Sequence, residues 1–168
     1  MPVTNLQHCE AIKRVLYNYC RGLDRMDKDL AYSVFTPSAN ANYYGIYEGS
    51  GHGFVDWVWG AHNAMARHSH QLSNILIDID GNSAVSEAYV TVTLWTAGEQ
   101  PLELVARGRY LDSWAYNGEA WQITDRIHVV DTQSANGQPV VDGVAAEYAR
   151  DLSDPSWELF KPLKVTRN

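Results

Sequence analysis

The chain predicts an α+β fold. Amphipathic helical spacing occupies most of residues 5–66, and apolar–polar alternation takes over between Ser69 and Val130. Asp80-Gly81 and Asn117-Gly118 mark tight turns between the alternating stretches. Helices segregated ahead of an antiparallel meander define this class, whereas strands and helices in regular alternation would predict a doubly wound sheet.

The elements follow in order. Thr4-Asn5-Leu6-Gln7 has the form of a capping box, in which the Thr4 hydroxyl and the Gln7 side chain satisfy free amides of the first turn. The helix it opens spaces Ile12, Val15, Leu16, Tyr19 and Leu23 on one face, and Gly22 weakens its end. Asp24-Arg25-Met26-Asp27 is the turn into a second helix, capped by Asp27, with Leu30, Val34 and Phe35 as its apolar face. Thr36-Pro37-Ser38 stops it. A strand over residues 40–47 places Asn42, Tyr44 and Ile46 on one side and Ala41, Tyr43 and Tyr47 on the other. The loop Glu48-Gly49-Ser50-Gly51-His52-Gly53 leads to a third helix, spaced by Phe54, Val55, Val58, Trp59, His62, Met65 and Ala66. Four strands are expected over residues 69–79, 83–95, 102–116 and 120–130. Beyond Asp131 the chain is punctuated by Gly, Pro and Ser, with one weak helical segment around Val144–Leu152. Residues 1–131 therefore read as a single barrel-like domain, and residues 132–168 as a tail that packs on its own or a neighbouring subunit.

Composition narrows the class of function. A net charge of −7 without any basic run argues against a nucleic-acid or anionic-membrane surface. The first residues lack the charged and apolar regions of a signal peptide, and no apolar stretch approaches the roughly 20 residues that span a bilayer. Cys9 and Cys20 on one helix are separated by about 16 Å along its axis, too far for a bridge. Two reduced thiols fit a cytoplasmic setting. Six Trp and ten Tyr against three Phe favour a pocket or an interface, because each Tyr and Trp brings a polar group that needs a partner when buried.

The chemistry points to Asp24 and His70. His70 alternates with Leu72 and Leu76 and so faces inward, and a carboxylate bonded to one imidazole nitrogen makes the other a better base. The competing roles are a helix-terminal cap for Asp24, which Asp27 already supplies, and a satisfied core histidine for His70. His68-x-His70 with His62 could in principle bind a metal, but no carboxylate or Cys sits at ligand spacing nearby. The Gly-rich loop at 49–53 lacks the lysine and strand–helix context of a phosphate loop. No Ser stands in Gly-x-Ser-x-Gly. No metal or cofactor is expected.

In order along the chain stand Ile12-Lys13-Arg14-Val15-Leu16-Tyr17-Asn18-Tyr19 leading to Leu23-Asp24, His70-x-Leu72-x-Asn74, Asp80-Gly81-Asn82-Ser83-Ala84, Gly108-Arg109-Tyr110-x-Asp112 and Trp121-x-Ile123-x-x-Arg126. This ordered set, over roughly residues 5–131, resembles the nuclear transport factor two-like superfamily, in particular its SnoaL-like branch. The resemblance implies a cone-shaped, curved antiparallel sheet wrapped around N-terminal helices, with an interior pocket. It also implies cofactor-free acid–base chemistry on an Asp–His dyad, with Asp24 and His70 at the matching positions. Tyr19 and Tyr43 fall where pocket tyrosines stand, and Arg126 where the last strand carries an arginine. Asn74 and Trp59 join them as candidate substrate-binding residues. His128, on the same strand face as Arg126, departs from the family pattern and is a further candidate. A structural salt bridge with Asp112 or Asp125 is the competing role for Arg126.

The expectation is a cofactor-independent lyase that eliminates water from a hydrophobic, aromatic or polycyclic, oxygenated small molecule. Retro-aldol loss of formaldehyde, isomerisation or cyclisation would use the same proton transfers. A non-catalytic binding or dimerisation module is the alternative from another class. Trp- and Tyr-rich strands with a free outer face further suggest a homo-oligomer, a dimer first and a trimer second.

Overall fold

The structure is a computed structural model that describes residues 4–140 and 149–161. The first helix, α1 (Asn5–Asp24), opens with the capping box: the Thr4 side chain accepts from the Gln7 amide, and the Gln7 side chain accepts from the Thr4 amide. Ile12, Leu16, Tyr19, Cys20 and Leu23 form its buried face. Gly22 is buried too, and its role is contact: a Cβ there would lie 2.8 Å from the Ala31 amide nitrogen, so its small size lets α2 (Lys28–Ser33) lie against α1. Asp27 caps α2 by accepting from the Leu30 amide.

Phe35 belongs to the first strand, β1 (Phe35–Tyr43), and Pro37 sits within it. Proline is tolerated there because the pairing of β1 with β6 (Trp121–Ala135) is irregular between Phe35 and Asn40, so no ladder hydrogen bond is lost. The strand expected over residues 40–47 is cut short by a turn at Gly45, where φ is +69°. Chain reversal then pairs β2 (Tyr47–Ser50) with β1, in part of what sequence spacing marks as loop. Ser50 caps α3 (Gly51–Asn63) by accepting from the Gly53 amide.

Four strands complete the sheet: β3 (Met65–Asp80), β4 (Ser83–Thr96), β5 (Glu103–Tyr116) and β6. The order is β2-β1-β6-β5-β4-β3, antiparallel except for the parallel β1–β6 pair. The sheet is curved and unclosed, as the α+β expectation requires, and its inner face packs on α1 and α3. Met65 and Ala66, expected on the third helix, already belong to β3.

β3 carries the largest departure from simple alternation. Its register with β4 shifts between Ser73 and Leu76, and Asn74 sits there at φ +47°. The extra residue turns the strand over. Ile75, Ile77 and Ile79 face the core, while Asn74 is exposed and Leu76 is 53% exposed. A second shift, at Arg107/Gly108, lets β5 and β6 approach closely: a Cβ on Gly108 would lie 2.1 Å from the Val129 carbonyl oxygen.

Beyond Asp131 the sheet continues. β6 runs to Ala135 and pairs with β7 (Gln138–Pro139). Most of the helix expected around Val144–Leu152 lies outside the described residues; residues 149–152 are not helical. A short helix, α4 (Pro155–Phe160), follows instead, capped by Asp154. Asp154 also accepts from both terminal nitrogens of Arg109, at 3.0 and 2.8 Å, which pins this segment to the outer face of β5.

Candidate active site

Asp24 is the last residue of α1, and His70 points inward from β3 before the Asn74 bulge. The two meet. His70 Nδ1 donates to Asp24 Oδ1 at 2.7 Å, and the His70 backbone amide donates to Asp24 Oδ2 at 3.0 Å. With Nδ1 so engaged, Nε2 is the nitrogen His70 offers to a substrate. Burial alone would raise the Asp24 pKa, but hydrogen bonds from the His70 ring and backbone outweigh it and hold the carboxyl below its usual range. The carboxylate is therefore ionised at neutral pH and orients the ring.

The dyad histidine forms part of the wall of a cavity of about 330 Å³ beneath α3 and the ends of β3, β4, β5 and β6. Most of that wall is hydrocarbon and aromatic, including Leu23, Phe54, Trp57, Val92, Leu94 and Val130. Tyr19 and Tyr43 add two buried phenols whose oxygens lie 2.7 Å apart, and Tyr43 stacks on Phe54 at a centroid separation of 3.6 Å. Burial pushes both phenol pKa values up, so both hydroxyls keep their protons. One donates to the other, which leaves one O–H of the pair free to donate to a substrate oxygen.

His128 also reaches the cavity, from β6, with its ring 5.2 Å from those of Tyr43 and Tyr110. His62, from α3, joins the wall beside the dyad, its ring 5.6 Å from that of His70. Burial, and after it the nearby His70 and His68 rings, pushes the His62 pKa down to about 3, so it stands there as a neutral ring.

Three candidates stand elsewhere. Arg126 is fully buried, but behind the wall: Nε and Nη2 donate to the two Asp112 oxygens at 2.7 and 2.8 Å. Its guanidinium carbon lies 4.3 Å from the centre of the Tyr19 ring and 4.2 Å from that of Tyr110. It supports the tyrosines and does not line the cavity, because a buried guanidinium without a carboxylate would be prohibitively costly. Asn74 is carried to the outer surface by the bulge. Trp59 faces away from the cavity, with Lys28 Nζ 6.0 Å from its ring, whereas Trp57 lies on the wall. Helix phase explains the exchange, since two residues on α3 are about 200° apart. Trp57, Tyr110 and His62 are among the wall residues missing from the sequence-based set; the alternation of β5 marks Tyr110, but no signal separates Trp57 from Trp59.

The histidine cluster does not make a metal set. Asp24 takes His70 Nδ1, the Leu23 carbonyl accepts from His68 Nε2 at 2.8 Å, and among the described residues no group of three or more His, Cys, Asp or Glu is arranged to hold an ion.

A curved, open sheet wrapped over helices, with an Asp–His pair at an apolar cavity, defines a class of small α+β pocket proteins. Within it, residues 4–127 match the SnoaL-like domain, and the chain belongs to that family of the nuclear transport factor two-like superfamily. A comparison with curated proteins finds no sequence match. Among solved structures, a scytalone dehydratase-like protein from Novosphingobium aromaticivorans superposes with a TM-score of 0.71 at 20% identity, over 77% of this chain and 88% of that one. The hexachlorocyclohexane dehydrochlorinase LinA-type3 of Novosphingobium barchaimii gives 0.70 at 12% identity, over 82% and 93%. A Mycobacterium tuberculosis protein of unknown function gives 0.67 at 21%, over 95% and 88%. At such identities the likeness establishes a common fold.

Proposed function

We propose that this protein is a cofactor-independent lyase that eliminates water from a hydrophobic, oxygenated small molecule, with Asp24 and His70 as its acid–base dyad. The observation that carries this reading is the two-point hold of Asp24 on His70 at the wall of an apolar cavity. A simple binding protein gains nothing from orienting an imidazole in this way. The names of two structural neighbours, a dehydratase and a dehydrochlorinase, both describe loss of H–X across a carbon–carbon bond, which supports the same reaction class.

In the proposed reaction His70 Nε2 removes a proton from a carbon next to an electron-withdrawing group. The C–H electron pair becomes the new double bond, the C–O bond breaks, and the imidazolium returns its proton to the departing hydroxide. The free O–H of the Tyr19–Tyr43 pair donates to a substrate oxygen on which negative charge builds. The hydrocarbon wall excludes water and strengthens these interactions. The substrate is best matched by an aromatic or polycyclic skeleton, because Phe54, Trp57 and Tyr43 offer flat faces.

The test is incubation of the protein with a panel of β-hydroxy ketones and hydroxylated polycyclic ketones, followed by mass spectrometry. Loss of water with wild type and not with His70→Ala is expected. Loss of formaldehyde in its place would reassign the dyad to retro-aldol cleavage, and identical traces from both proteins would remove the dyad from catalysis.

A further inference from the structure

His128 is 6% exposed, and neither of its ring nitrogens has a hydrogen-bond partner among the described residues. A neutral imidazole carries one donor and one acceptor, and burying both unmet costs free energy that a ligand can return. Burial, then the Arg126 charge and the nearby His70 ring, pushes its pKa down to about 3, so the ring is neutral at physiological pH. Its flanking ring Tyr43 has its hydroxyl engaged with Tyr19, and Val130, the next cavity residue along β6, is hydrocarbon. The imidazole, flanked by the Tyr43 and Tyr110 rings at 5.2 Å, is thus a polar group of the cavity wall left without a partner among the described residues.

We propose that His128 is a specificity-determining residue: it hydrogen-bonds a ligand hydroxyl inside the cavity and so selects hydroxylated molecules over hydrocarbon or halogenated ones of the same shape. A ligand hydroxyl that reaches either ring nitrogen satisfies one of the two. The assignment rests on the cavity being the substrate site of the proposed lyase, but it concerns recognition and not proton removal.

The experiment is calorimetric titration of the full chain with 2-naphthol, naphthalene and 2-chloronaphthalene, together with ¹⁵N spectra of the histidine rings. Wild type should bind 2-naphthol at least about 10-fold more tightly than the other two, as expected for one buried hydrogen bond. His128→Leu should lose that preference, chiefly by weakening for 2-naphthol. In wild type the His128 ring resonances should move on adding 2-naphthol and stay in place with naphthalene, a readout that needs no variant to fold. An unchanged preference in His128→Leu, an unmoved His128 resonance at saturating 2-naphthol, or no binding of 2-naphthol to wild type overturns the proposal. Failure of the lyase reading looks different: the naphthol preference would persist in a protein that eliminates water from no substrate.

Discussion

Asp24 holds His70 twice across 46 positions of sequence, Oδ1 accepting from the ring and Oδ2 from the backbone amide of the same residue. One carboxylate thereby sets both the tautomer of the histidine and the position of the strand that carries it against the end of α1. A long-range clamp of this kind couples the geometry of the Asp24–His70 pair to the packing of helix on sheet.

Asp24→Asn replaces an acceptor-only group by one that also donates, so the ring loses its enforced tautomer. Turnover of any substrate found in the elimination screen should fall about 10³-fold or more, and His70→Ala should do at least as much. Both variants should still unfold cooperatively in urea. Near wild-type turnover in either one would remove that residue from the mechanism.

Arg126 and Asp112 form a pair with both side chains fully buried. Burial opposes the Arg126 charge, yet Asp112 and the surrounding phenols raise its pKa well above the usual value, so the guanidinium stays charged in the core. Asp112→Ala would strand that charge, and a loss of about 3–5 kcal/mol in urea unfolding is expected. A stability close to wild type would show that the pair is not the support of the tyrosine wall.

Two glycines should respond in opposite directions to alanine. At Gly108 the new Cβ would meet the Val129 carbonyl oxygen at 2.1 Å, so the close β5–β6 approach must open and the variant should lose several kcal/mol or fail to fold. At Gly60, on α3, nothing lies within 4 Å, and alanine should stabilise by roughly 0.5–1 kcal/mol through its better helix propensity. Thermal unfolding of the two variants side by side decides it.

These contrasts also mark where sequence reasoning reaches. Capping residues, hairpin turns and helix faces are local, and Thr4, Asp27, Gly81 and Gly118 announce them to a reader of the chain alone. The bulge at Asn74 is not announced: it depends on how β3 seats against β4, and it is what turns Leu76 and Asn74 outward. Pro37 reads as a stop, yet it lies in a strand, because the irregular pairing with β6 asks nothing of its missing N–H. Asp112 and Arg126 become partners only through the register of β5 on β6, which pairs them directly. The site is legible to the extent that its residues lie on long, regular elements, as Tyr19 and His70 do.

On the outer face, Arg109 gathers three carboxylates, Asp131, Asp154 and Glu87. Burial would raise the Asp154 pKa, but hydrogen bonds from Arg109 and Ser156 hold it far below the usual range. A carboxyl depressed in the folded state adds stability above its unfolded value of about 4 and loses it as pH falls. Wild type should therefore be more stable than Asp154→Asn at pH 7, with the difference shrinking below about pH 4. Burial raises Glu87 and Asp131 instead, so those two work in the opposite sense over the same range. A gap between the proteins that is constant from pH 7 to pH 3 would mean that Asp154 acts through packing and not through charge.

The outer face of the sheet also bears on assembly. Tyr89 of β4 is 43% exposed and Leu76 of β3 is 53% exposed; across the two strands Tyr89 pairs with Ser73 and Leu76 with Glu87. Large apolar groups on a strand face are costly to leave in water and commonly mark a contact surface. A symmetric dimer would place this patch against its own copy, so each subunit covers the other's Tyr89 and Leu76. Light scattering at micromolar concentration should then return about twice the 18.9 kDa of one chain, and Tyr89→Glu with Leu76→Glu should return the single-chain mass. Three chain masses would establish a trimer, while a wild-type mass near 18.9 kDa at that concentration would show that the face is left to solvent.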